Sequence, residues 1–262
     1  MLDAVLGDIA GKGYAVVDAF DPAPLAEIRA TIFQAARGLL GWEGNDPDAF
    51  FNHFHDQALD AARLNDFRVA LIRAFNEQAD VGRLTWDAFA PLLLSLVGPD
   101  AAVQRATNLV IQMPHDLAVS PVHRDAPPNS LHEVVVWVPL VDCYGTKGMV
   151  VLSAEHTREA LARRAAPGGG DAAMDDYVWS VADRVAVPYG KALFFWAGLI
   201  HAVPENVETE TRWSLNLRYK NIFSPQGTKG MPEYFRILHL SPLSRLAFDA
   251  QRRQAVADLN PS

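Results

Sequence analysis

The spacing of apolar positions divides the chain into two unlike stretches. Residues 13–20, GYAVVDAF, are a short β-branched and aromatic run that predicts a strand. The following segment, DPAPLAEIRATIFQAARGLLG, opens on Asp21 and Pro22, as a helix cap and first turn do, and closes near Gly41. Residues 62–80 and 84–97 again carry apolar side chains at helical spacing, whereas 42–60 mix aromatic and polar groups without a period. The first hundred residues are therefore expected to be mostly helical.

From about residue 107 the pattern changes. TNLVIQM, HEVVVWVPL, GMVVLS, RVAVPYG, KALFFWAG and RWSLNLRYKNI are short runs rich in valine, isoleucine and aromatics, separated by glycine, proline and acidic turns. No glycine-rich loop opens a helix after a strand, and helices do not alternate regularly with these strands, so a doubly wound nucleotide fold is poorly supported. The expected class is mainly β with flanking helices, as a single domain. A helical part over 1–100 packs on an antiparallel sandwich or barrel over about 105–222, and a helical extension follows over 230–258. Residues 164–177, RAAPGGGDAAMDDY, read as a loop covering a site or as solvent-exposed slack.

Charge and cysteine content narrow the function classes. The 23 Lys and Arg against 31 Asp and Glu give a net charge of −8 without a basic cluster, which argues against a nucleic-acid partner. Cys143 is the sole cysteine, so neither a disulfide framework nor a thiolate metal cluster is available, in keeping with a reducing compartment. MLDAVLGDIAGKG carries acidic residues where a signal peptide carries basic ones, and runs such as ALFFWAGLI fall short of a membrane span. The expected setting is cytoplasmic, as a monomer or homodimer whose partner is a small molecule.

Candidate chemistry lies in the second half. In PVHRD, His123 and Asp125 are two positions apart, which in extended backbone puts an imidazole and a carboxylate on one face. His201 ends the apolar run FFWAGLI. Two histidines and a carboxylate occupy one face of a six-coordinate Fe(II) and leave positions for oxygen and an oxidisable co-substrate. In ETETRWSLNLRYK, alternation puts Arg212, Ser214, Asn216 and Arg218 on one face and Trp213, Leu215, Leu217 and Tyr219 on the other. Arg212 with Ser214 offers a charge-assisted clamp for a carboxylate, and the competing role for Arg212 is a salt bridge to Glu205, Glu208 or Glu210.

Asn108 and Gln112 share a face of the strand before PVHRD, within reach of the same co-substrate. Trp137, Asn216 and Arg218 are candidates for contact with a polar or anionic substrate. His53, His55 and Asp56 form a second metal-like cluster, read as a site rim or surface feature because no third positioned ligand or anchor accompanies it.

With His123-Arg124-Asp125, GKALFFWAGLIHAV and Arg212-Trp213-Ser214 in place, the sequence resembles the Fe(II)/2-oxoglutarate oxygenases of the phytanoyl-CoA dioxygenase-like superfamily. VVVWVPLVDCYGTKGMVVLSAEHT adds to the likeness, with Ser153-Ala154-Glu155-His156 replacing the family's usual Pro-Gly-Ser-His. In length and texture the chain is most similar to the sporadic-carbohydrate-cluster oxygenases. The resemblance implies a double-stranded β-helix, or jelly roll. It also implies His123, Asp125 and His201 as iron ligands and Arg212, assisted by Ser214, as anchor for the distal carboxylate of 2-oxoglutarate. Aspartate at 125 implies oxygenation, since related halogenases replace the carboxylate with a small residue. The implied activity is hydroxylation of a small polar or carbohydrate-linked metabolite with release of succinate and carbon dioxide. A zinc or manganese hydrolase on the same three residues and a non-catalytic sugar-binding protein are the alternatives.

Overall fold

The structure is a computed structural model that describes residues 2–116, 120–126 and 129–259, with side chains through residue 253. Its amino-terminal helices are α1 (Leu2–Lys12), α2 (Ala23–Leu40), α3 (Pro47–Asn52), α4 (Ala61–Gln78) and α5 (Val81–Val97), with strand β1 (Tyr14–Asp18) between the first two. Asp46, Asp60 and Asp80 cap α3, α4 and α5 by accepting backbone N–H bonds from the first turn. Pro91 interrupts α5, whose backbone leaves helical geometry at Phe89, and the neighbouring Ala88 carbonyl accepts N–H bonds from Phe20 and Asp21 instead.

The remaining strands are β2 (Ala101–Gln104), β3 (Asn108–Gln112), β4 (Ser120–His123), β5 (Glu133–Pro139), β6 (Met149–Val151), β7 (Asp183–Val185), β8 (Lys191–Trp196), β9 (His201–Val203), β10 (Arg212–Asn221) and β11 (Phe235–His239). They form two antiparallel sheets. The larger runs β1-β8-β5-β10-β2-β11, with β3 also on β10; the smaller runs β4-β9-β6-β7. Helices α6 (Ala154–Ala165) and α7 (Asp171–Val181) connect β6 to β7, and α8 (Pro242–Leu259) ends the described chain.

The two faces of β10 explain the layering. Trp213 packs at 4.9–5.0 Å, ring centre to ring centre, on Phe54 and Phe51, and Tyr219 donates to the Gly82 carbonyl at 2.8 Å. Helices α2–α5 therefore cover one side of the larger sheet and bury its apolar residues. The opposite face, which carries Arg212, Ser214, Asn216 and Arg218, turns toward the smaller sheet. Register places Gln112 and Asn108 of β3, and Trp137 of β5, on that same polar face. The aperiodic stretch at 42–60 now has a cause: Phe50, Phe51 and Phe54 all enter the core around Trp213 from a short helix and turn.

Four expectations need correction. Helix accounts for about 45% of the chain and strand for about 23%, so by residue count the fold is not mainly β. The sheet core is wider than 105–222, because β1, β2 and β11 pair within the larger sheet. The helical extension does not begin at 230: Phe235 is fully buried in a strand paired to β2, and the helix starts only at Pro242. The 164–177 stretch is two helix ends around a turn at 166–170. Gly168 and Gly170 take positive φ there, and a Cβ on Gly169 would lie 2.2 Å from the Arg163 carbonyl oxygen.

Candidate metal centre and its anion clamp

Strands β4 and β9 set two of the ligands. They pair so that His123 and His201 lie directly opposite, and the imidazole centres are 4.2 Å apart. Asp125 follows two residues later, and ligand atoms of all three residues lie within 4.8 Å of one another. Each imidazole is oriented by backbone: His123 Nδ1 meets the Pro121 carbonyl at 2.7 Å and His201 Nδ1 meets the Leu199 carbonyl at 3.1 Å. A carbonyl only accepts, so Nδ1 carries the proton in both rings and Nε2 keeps its lone pair for a metal. Burial, reinforced by the neighbouring His123, holds His201 well below the usual imidazole range. His201 is thus kept neutral, the state a metal ligand needs. Phe195 of β8 closes one side, its ring centre 4.9 Å from that of His201.

The two arginines of β10 have opposite circumstances. Arg218 Nη2 bonds both Asp125 oxygens at 2.6 Å and Nε reaches Oδ2 at 3.1 Å, while Nη1 donates to Gln104 Oε1 and Tyr234 Oη at 3.1 and 3.2 Å. Burial opposes its charge, but Asp125 outweighs burial and raises its pKa. Arg218, expected to meet a polar or anionic substrate, lines a cavity with its donors engaged by Asp125, Gln104 and Tyr234. Sequence reading missed Gln104, Tyr234 and Phe195; only Gln104 had a signal, as the polar end of the buried run AAVQ.

Arg212 is 1% exposed, and its Nε and Nη1 have no hydrogen-bond partner among the described residues. Burial pushes its guanidinium down to about 10. The acids that might have neutralised it are engaged elsewhere: Glu208 with Thr146, Glu210 with Lys147 and Tyr144, and Glu205 beside His115. Trp137 lies 6.0 Å from the Arg212 guanidinium, ring centre to Cζ. Ser214 is fully buried and its hydroxyl is also unpartnered. The same face carries unpartnered oxygens on Gln112 and Asn216, although Gln112 Nε2 donates to the Pro204 carbonyl. A buried cation with free N–H groups beside a free hydroxyl is destabilised until an anion arrives. The residues therefore fit a carboxylate at Arg212 and Ser214 and a divalent metal at the triad.

Asn108 is exposed and borders a cavity of about 440 Å³ shared with Gln104, Arg218, Lys229, Glu233 and Tyr234. Helices α6 and α7 wall a separate cavity of about 410 Å³, in which Arg164, Asp171 and Met174 face His123 and Arg124. His156 pairs with the Tyr177 hydroxyl at 2.8 Å between those helices. His53, His55 and Asp56 do come close enough to hold a metal, but on an exposed turn where His55 Nδ1 meets Thr211 Oγ1 at 3.0 Å. No described helix is long and apolar enough to cross a membrane.

No protein-family model matches the chain. No curated protein matches it. Solved structures do. The non-heme monooxygenase ThoJ in its apo form is 22% identical, with a TM-score of 0.57 over 90% of this chain and 84% of that one. The epimerase SnoN, in complex with Fe3+, alpha ketoglutarate and nogalamycin RO, is 18% identical, with a TM-score of 0.53 over 88% and 90%. The alpha ketoglutarate-dependent carbocyclase SnoK, from nogalamycin biosynthesis, is 17% identical, with a TM-score of 0.52 over 92% and 89%. The chain thus has the fold of the non-heme iron, α-ketoglutarate-dependent enzymes and carries within it an H-x-D…H metal-binding triad.

Proposed function

We propose that the protein is an Fe(II)- and 2-oxoglutarate-dependent dioxygenase that hydroxylates a small polar or carbohydrate-linked molecule. The observation that carries this reading is the buried guanidinium of Arg212, two of whose nitrogens have no partner among the described residues, on the sheet face turned toward a two-histidine, one-carboxylate cluster. A hydrolytic metal site has no use for it; a dicarboxylic co-substrate does. We read the two sheets as the halves of a double-stranded β-helix and the chain as phytanoyl-CoA dioxygenase-like, which the antiparallel topology and the solved neighbours support.

His123, His201 and Asp125 would hold iron, and Arg212 with Ser214 would bind the distal carboxylate of 2-oxoglutarate. With dioxygen as the oxidant, the bound metal and co-substrate would supply oxidative decarboxylation, one oxygen atom entering succinate as carbon dioxide leaves and the other going to the C–H bond that is hydroxylated. The chain's own work is positional. The Pro121 and Leu199 carbonyls hold the imidazole protons away from the metal side. Burial strengthens the Arg212 clamp by excluding competing water. Trp137, Leu193 and Phe195 make the interior of the site apolar and keep bulk water out. The cavity of about 440 Å³ beside Arg218 has the size of a small-molecule site and is assigned to the substrate, with Asn108 and Tyr234 on its walls.

The test is anaerobic addition of Fe(II) and then 2-oxoglutarate to metal-free protein. A weak visible charge-transfer band that is lost in His123→Ala and Arg212→Leu is the expected result. Folded, iron-bound wild type without the band would move the assignment to a hydrolase or a binding protein.

A further inference from the structure

We propose that Arg218 is a positioning residue that confines Asp125 to one ligating oxygen, Oδ1, and so keeps a coordination position open on the iron. This rests on the iron and 2-oxoglutarate reading above. The five contacts that Arg218 makes engage all three of its guanidinium nitrogens, with Nη2 shared between the two Asp125 oxygens. The two carboxylate oxygens are not equivalent in this set. Oδ2 accepts from both Nε and Nη2, at 3.1 and 2.6 Å, whereas Oδ1 accepts only from Nη2, at 2.6 Å. Oδ2 therefore faces two donor nitrogens, whereas Oδ1 only shares the second of them and is the freer of the two oxygens.

The opposite edge of the guanidinium fixes its plane. Nη1 is held by Gln104 at 3.1 Å and by Tyr234 at 3.2 Å, and both side chains stand on the wall of the 440 Å³ cavity. Rotating Arg218 to release Oδ2 would break these bonds as well. The side chains of the pair are only 9–10% exposed, so water replaces few of them.

The number of positions on the metal makes this restraint useful. Two imidazoles, a keto acid chelating through two oxygens and a carboxylate chelating through both of its own would fill an octahedron. Held to Oδ1 alone, Asp125 leaves one position for dioxygen. A planar fork suits this task and an ammonium does not, because only the fork presents two donor nitrogens in one plane to the same oxygen.

The experiment compares wild type with Arg218→Met and Arg218→Lys, each as full-length protein loaded anaerobically with Fe(II) and 2-oxoglutarate. Nitric oxide is titrated in as a probe of the open position and followed by its EPR signal, with circular dichroism as a check on folding. Arg218→Met is expected to keep the keto-acid band yet bind nitric oxide about tenfold more weakly, within the usual range for loss of an outer-shell partner. Arg218→Lys, which preserves charge and burial and decides the matter if the methionine variant does not fold, is expected to lose about threefold. Wild-type nitric oxide affinity in either folded variant overturns the proposal. A missing keto-acid band in wild type defeats the functional reading and this proposal together, whereas a normal band with unchanged nitric oxide binding defeats the proposal alone.

Discussion

Arg212 and Arg218 stand at the two ends of one strand, on the same face, both nearly buried, and they have opposite electrostatic fates. At the Arg218 end every guanidinium nitrogen has a partner, and a carboxylate neutralises the charge. At the Arg212 end two buried nitrogens and a neighbouring hydroxyl have none among the described residues. A satisfied buried ion pair rigidifies its surroundings; an unsatisfied buried cation stores binding energy for an anion. Residue type and burial therefore do not reveal which arginine binds a ligand. The distribution of unmet hydrogen bonds does.

The comparison is sharpest in metal-free protein. Arg218→Met leaves the Asp125 carboxylate buried without its counter-charge and should cost about 3–5 kcal/mol of unfolding free energy, measured by urea titration. A loss below about 1 kcal/mol would show that water satisfies Asp125 and would erase the contrast between the two ends. Trp213→Ala, on the opposite face of the same strand, should cost about 3–5 kcal/mol through the cavity left among Phe50, Phe51 and Phe54. Its effect should be confined to stability, with 2-oxoglutarate affinity unchanged in the folded fraction.

Arg212→Leu should act in the other direction. Removing an uncompensated buried cation should stabilise the metal-free protein by about 1–2 kcal/mol, while 2-oxoglutarate affinity falls about 100-fold for loss of a charge-assisted clamp. Destabilisation of the variant would reveal a structural partner for Arg212. Ser214→Ala removes only a hydroxyl without a partner, so stability should change by less than about 0.5 kcal/mol and co-substrate affinity by about threefold to tenfold, read by calorimetry. The smallest effect is at Cys143, where burial pushes the thiol up to about 12. Native protein should resist iodoacetamide at pH 8, and rapid alkylation would mean that the Arg212 end opens to solvent more readily than its packing suggests.

Local pattern was enough for much of the scaffold. The 3.6-residue spacing in 62–80 and 84–97 appears as α4 and α5, and alternation in RWSLNLRYK appears as the polar and apolar faces of β10. His123 and Asp125 were legible because two residues of extended chain bring side chains to one side whatever the rest of the fold does. Elements that depend on distant partners were not legible. Strand β2 is four residues long and β11 lies within a region read as helical; each is stabilised by pairing across more than a hundred residues of sequence. Helix α3 is six residues long, too short for a period to show, and exists because Phe50 and Phe51 have Trp213 to pack against.

By itself the sequence determined which side chains share a face, which residue types can bind a metal or an anion, and that a single cysteine allows no intrachain disulfide. Tertiary structure decided which of those side chains find partners. His201 meets His123 only because β9 pairs with β4, and Arg218 meets Asp125 only because the two sheets close on one another. Periodicity is a property of neighbouring residues, set by backbone geometry within a few bonds. Hydrogen-bond satisfaction is a property of the whole packed interior, and so the difference between Arg212 and Arg218 appears only once the chain has folded.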